Sequence, residues 1–156
     1  MASAEIGSTG LSVTRFGLGG AGPPGGSFSG TTAAAHATLE RAYELGMRYF
    51  DTAPLYGRGT SETLFGEFLS GVPRGEFVVS SKVGRAANPE LGGPPLFDFS
   101  RDRVLSSLAE SLERLRLDAI DIVFLHLLGD TPCHYQQALH EALPALAELS
   151  VPTQAA

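Results

Sequence analysis

An aspartate, a tyrosine, a lysine and a histidine each stand where an apolar run gives way to a turn. Asp51 and Tyr56 lie in YFDTAPLYG, Lys82 ends FVVSSK, and His126 closes IDIVFLH. A carbonyl that receives a hydride becomes an alkoxide and needs a proton at once, so such a site requires an acid with a proton available near neutral pH. A free tyrosine titrates at about 10, too high to shuttle protons easily in both directions. A lysine ammonium beside a phenol stabilises the phenolate, and an aspartate keeps the lysine charged and aimed. Tyr56 then acts as acid in reduction and base in oxidation. His126, neutral or charged, donates a hydrogen bond that holds the substrate oxygen against the phenol.

Each residue alone has a structural explanation: a turn bond for Asp51, a loop aromatic in Tyr56, a solvated strand end for Lys82, a satisfied core histidine for His126. Their conjunction depends on the elements beneath them. VTRFGLG (Val13 to Gly19) reads as a first strand, preceded by a small turn around Gly7 to Gly10 and followed by a glycine-rich loop to Gly30. Thr31 or Thr32 caps a helix that buries Ala35, Leu39 and Ala42 and stops at Gly46. RYFDTA is a second strand ending at Asp51. A helix from near Ser61 buries Leu64, Phe65, Phe68 and Leu69 and ends at Gly71. Phe77 to Lys82 is the third strand. After a Pro/Gly-rich loop, Ser100 caps a helix whose buried stripe is Val104, Leu105, Leu108, Leu112 and Leu115. Ile120 to Leu125 is apolar enough for a strand covered on both faces, and a last helix runs from Tyr135 to Leu149.

Strand and helix alternating four times imply parallel strands with right-handed crossovers, in either an open doubly wound sheet or part of a (β/α)8 barrel. Gly17, Gly19 and Gly22 spell the dinucleotide-binding glycine pattern G-x-G-x-x-G, but that pattern works only when a helix begins inside the loop and presents its N-terminus to a pyrophosphate. Here Pro23, Pro24, Gly25 and Gly26 intervene. The barrel places functional residues just past the C-terminal ends of successive strands, which is where Asp51, Lys82 and His126 fall, with Tyr56 on the loop above Asp51. Adjacent parallel strands lie about 5 Å apart, so Lys82 and Asp51 are expected to pair.

The sequence has 156 residues, of which 43% are hydrophobic, enough for one domain with an ordinary core. A net charge of −6 offers no basic face to a nucleic acid or an anionic membrane, and no apolar stretch approaches the roughly 20 residues of a membrane span. The lone Cys133 cannot form an internal disulfide, which fits a cytoplasmic protein.

FDTAPLYG, SSKVG and IDIVFLH, in that order and carrying Asp51, Tyr56, Lys82 and His126, resemble the signature segments of the aldo-keto reductase family. GSTGLSVTRFGLGGA and SETLFGEFL resemble its start and the helix after its signature. The segments FDFSRDRVLSSLAESLERL and HYQQALHEALPALAEL look most like its aldose 1-dehydrogenase branch, which includes L-fucose, L-galactose and D-threo-aldose dehydrogenases. The resemblance implies a sugar or other small carbonyl substrate, oxidation of a hemiacetal to a lactone, and NADP or NAD as hydride acceptor, with Asp51 and the backbone of Gly20 and Ala21 contributing to cofactor binding.

A full barrel has about 250 residues and eight strands. This sequence supplies four, so residues 1–156 are expected to form a single partial barrel domain lacking strands five to eight. The resemblance implies that the family's main cofactor grip belongs to that second half. The alternative expectation is a catalytically inactive truncated isoform or a half-barrel interaction module, with self-association through the open edges at strands one and four. Two departures from the family accompany this. Arg116 stands where a glycine stop is usual, and HLLGD replaces the branch's usual turn after the histidine. Pro152 is expected to end the last helix.

Overall fold

The computed structural model describes residues 1–22, 31–127 and 131–149. The loop expected to reach Gly30, the turn after His126 and the stop at Pro152 fall outside the described residues.

The N-terminus forms an antiparallel hairpin, β1 (Ser3–Glu5) with β2 (Ser12–Thr14), turned by Gly7 and Gly10 at positive φ. The expected first strand is therefore split. Ser12–Thr14 serves the hairpin, and only β3 (Leu18–Gly19) joins the main sheet. The break has a local cause: the Thr14 hydroxyl donates to the Phe16 carbonyl, and a Cβ on Gly17 would meet Tyr49 Cδ1 at 2.8 Å.

Helix α1 (Thr32–Glu44) follows, with the Thr31 hydroxyl accepting from the Ala34 N–H and Gly46 left-handed at its end. Next come β4 (Tyr49–Asp51), α2 (Thr60–Leu69), β5 (Val78–Val83), a second hairpin of β6 (Arg85–Ala86) and β7 (Leu96–Phe97), α3 (Arg101–Leu115), β8 (Ile122–Leu125), α4 (Pro132–Gln137) and α5 (Leu143–Leu149). The sheet order is β3-β4-β5-β8, parallel throughout. Strands adjacent in sequence are adjacent in space and the first lies at an edge, whereas a doubly wound dinucleotide fold puts its first strand in the middle. This is one half of a (β/α)8 barrel.

One apolar cluster joins Leu39, Phe50, Phe65, Leu69, Phe77, Val79 and Leu115 between the sheet and its helices. Four sequence expectations change. The buried side of α3 is Val104, Ser107, Ser111 and Leu115, while Leu105, Leu108 and Leu112 are only half-buried. The helix is rolled towards its small residues because α2 lies close, with a Cβ on Gly66 meeting the Arg114 carbonyl oxygen at 2.3 Å. Ser100 holds the cap position of α3 without a side-chain cap bond, and its own N–H donates to Asp98. The run at Ile120 pairs only from Ile122 and is an edge strand with Phe124 44% exposed, so it is not covered on both faces. The last helix begins early, at Pro132, and widens into a π turn over Ala138–Ala142 just before Pro144, whose ring cannot sit against a carbonyl four residues back.

Candidate active site

Alternation along the strands decides which residues share the concave face. Asp51 is in register with Gly19 on one side and Ser80 on the other, and Lys82 lies two residues beyond Ser80, in register with Phe124. The Lys82 ammonium donates to both Asp51 carboxylate oxygens, at 2.9 and 2.8 Å, and to the Thr52 carbonyl at 3.0 Å. Those contacts match its three donors. Ser80 also donates to Asp51, at 2.7 Å, and meets the Tyr49 hydroxyl at 3.1 Å. Asp51 is thus fixed from two directions.

Tyr56 opens a short turn, Tyr56–Gly59, held by its N–H on the Ala53 carbonyl. Gly57, Arg58 and Gly59 are successively left-handed, and a Cβ on Gly59 would also meet Arg114 Cδ at 2.9 Å. That turn lays the Tyr56 ring centroid 4.8 Å from the Lys82 ammonium, which keeps its bonds to Asp51 and Thr52. His126 closes the set: its N–H donates to the Val83 carbonyl and its ring meets Tyr56 edge to face at 6.2 Å. Burial, then the charges of Arg85 and Lys82, push the His126 imidazole down to about 4 against the pull of Asp51. It is neutral at neutral pH, and its buried Nδ1 has no partner among the described residues.

All four residues singled out in the sequence therefore meet on one rim. Gly20 packs instead: its N–H is taken by the Asp51 carbonyl, and a Cβ there would strike Ser61 Oγ at 2.2 Å. Ala21 beside it is exposed. Three participants were missed. Ser80 was signalled by its two-residue offset from Lys82, the Thr52 carbonyl had no side-chain signal, and Arg85 was hidden in a segment read as loop. Among the described residues no group of His, Cys, Asp and Glu is arranged to hold a metal ion.

Residues 15–151 match the model of the Aldo/keto reductase family. The chain belongs to the aldo/keto reductase family. It is 40% identical to an L-galactose dehydrogenase of Arabidopsis thaliana over 92% of this chain and 43% of that one. Against a D-threo-aldose 1-dehydrogenase of Pseudomonas sp the identity is 41%, over 74% of this chain and 40% of the other. The holo form of an aldo-keto reductase from Bacillus halodurans superposes with a TM-score of 0.79 at 28% identity, covering 96% of this chain and 46% of that one. This aldo/keto reductase chain thus spans less than half the length of these relatives.

The reacting end of a nicotinamide cofactor fits what is present. The concave face is open over Gly19, where an added Cβ would meet nothing within 4 Å, and Gly19 is in register with Asp51. The pyrophosphate is another matter: Asp51 neutralises Lys82 and His126 is uncharged, so the tetrad offers no net positive charge to it.

Proposed function

We propose that this chain carries the acid–base end of an NAD(P)-dependent oxidoreductase site of the aldose 1-dehydrogenase type. The observation that carries the reading is the Lys82–Asp51 pair set under the Tyr56 ring with a neutral, unpartnered His126 at its side. A bound nicotinamide supplies the hydride acceptor in oxidation and donor in reduction. Tyr56 as phenolate takes the proton from the substrate hydroxyl as C1 of a sugar hemiacetal is oxidised to a lactone, and as phenol returns a proton in carbonyl reduction. Lys82 acts on it as a charge across the ring face, since its donors are occupied. His126 binds the substrate oxygen. Asp51 and the exposed backbone of Ala21 border the cofactor, with Gly20 packed beneath them, and residues 1–156 constitute one partial barrel domain. The names of the two dehydrogenase relatives favour a sugar, and a single exposed cysteine favours a reducing compartment such as the cytoplasm.

The test is to titrate NADP and NAD into the purified chain by fluorescence and to assay aldose oxidation beside Tyr56→Phe. Saturable binding with turnover that disappears in the variant is expected. Turnover that persists without the phenol hydroxyl would overturn the reading.

A second reading, a non-catalytic half-barrel that associates through its concave face and edges, is favoured by one observation. Phe124 lies exposed on edge strand β8, beside a cleft of about 590 Å³ lined also by Ile6, Leu11, Tyr49 and Ile122. Sedimentation would reveal it as a concentration-dependent assembly, and a monomer that oxidises sugar would exclude it.

A further inference from the structure

Arg85 has no role in the tetrad, yet the fold spends unusual local geometry on placing it. Gly84 before it is left-handed at φ 89, and a Cβ there would lie 1.9 Å from Phe99. The chain turns sharply off β5 at this point into the β6–β7 hairpin, where Arg85 is in register with Phe97. The guanidinium carbon lies 5.3 Å from the Phe97 ring centroid, and Phe97 is in turn stacked on His134 at 4.8 Å. Arg85 forms no ion pair among the described residues. Among those residues its Nε is buried with no partner, as is Nδ1 of His126, whose backbone N–H donates across the sheet to the carbonyl of Val83, two residues before Arg85. The charge of Arg85 is felt at His126, second only to burial in depressing its pKa.

An arginine Nε–H can only donate, so a buried one calls for an acceptor. The nearby histidine needs a second polar atom. A carbonyl compound bearing further hydroxyls supplies both, because each hydroxyl can give and accept, whereas a plain aldehyde or ketone has one oxygen for His126 and none for Arg85. We infer that Arg85, laid on Phe97 beside His126, is a specificity-determining residue that donates to an oxygen of the substrate other than the reacting one, and so selects polyhydroxylated carbonyl compounds. The inference rests on the oxidoreductase reading above.

Its test is a nuclear magnetic resonance titration of the full ¹⁵N-labelled chain, following the Arg85 Nε–H signal (assigned with Arg85→Lys) and the His126 ring protons. The probes are L-galactose and cyclohexanone, a ketone without hydroxyls. L-Galactose is expected to move both residues saturably, and cyclohexanone only His126. Arg85→Gln is expected to weaken L-galactose roughly tenfold and leave cyclohexanone unchanged. If L-galactose moves His126 and leaves Arg85 in place, the inference falls while the proposed function stands. If Arg85 moves saturably but neither cofactor supports sugar oxidation, recognition by Arg85 survives and the catalytic reading falls. If neither residue moves at saturating sugar, both are overturned. Should Arg85→Gln fail to fold by circular dichroism, the wild-type titration alone decides.

Discussion

Ser81 and Lys82 are neighbours on β5 whose side chains leave opposite faces of the sheet, and each reaches an ion pair. On the helical face the Ser81 hydroxyl donates to Glu62 at 2.6 Å, and Arg114 Nε donates to the other carboxylate oxygen at 2.7 Å. Glu62 is fully enclosed. On the concave face Lys82 grips Asp51, whose side chain keeps 30% of its exposure. The same chemistry is thus sealed into structure on one side and left within reach of a ligand on the other. A carboxylate with no water near it must keep its cation, whereas one with partial access to water tolerates losing it.

The largest effect should follow Arg114→Met, which strands the Glu62 charge between α2 and α3. We expect a loss of roughly 3 to 5 kcal/mol in urea unfolding at an unchanged m-value, with any sugar-binding signal intact below the transition. Lys82→Met comes next. Asp51 retains Ser80 and solvent, so the expected loss is about 1 to 2 kcal/mol, while Tyr56-dependent turnover is abolished. Equal stability losses for the two variants would remove the distinction between the faces.

His126 extends the comparison to pH. Its folded-state pKa is about 4 against an ordinary value of about 6.5, so between those values the unfolded chain binds more protons than the folded one. Stability should therefore rise with pH through this window and be lost as pH falls from 6.5 towards 4. Solvent screens a half-buried ring, which makes the slope smaller than the Lys82 effect. His126→Gln should flatten the slope in denaturant midpoints measured across pH 4 to 7 relative to the wild type. An unchanged slope would assign the acid sensitivity to other groups.

The order of the parallel strands, the first two helices and the meeting of Asp51, Tyr56, Lys82 and His126 were legible because period, caps and strand ends are local. What escaped depended on distance in space. α3 read as a leucine stripe, but the approach of Gly66 turned Ser107 and Ser111 inward. The strand at Val13 read as continuous, but Gly17 had to yield to Tyr49. Arg85 sat in a Pro/Gly-rich segment whose hairpin pairing joins residues too irregular in pattern to show a period of two.

Arg116 gives the smallest and sharpest test of the helical face. It ends α3 at φ 56 and ψ 39, a left-handed position that costs a non-glycine residue about 1 kcal/mol, and its N–H donates to the Glu113 carbonyl at 3.2 Å. Its guanidinium reaches Glu67 at 3.4 Å, but both side chains are substantially exposed and Glu67 also holds His36 at 2.9 Å. An exposed pair of this kind is worth about 0.2 to 1 kcal/mol. Arg116→Gly relieves the backbone and gives up the weaker of two partners, so a net gain of a few tenths of a kcal/mol is expected from the urea midpoint. A net loss would mean that solvent-facing pairs on this side contribute as the enclosed Glu62–Arg114 pair does, and that burial does not separate them.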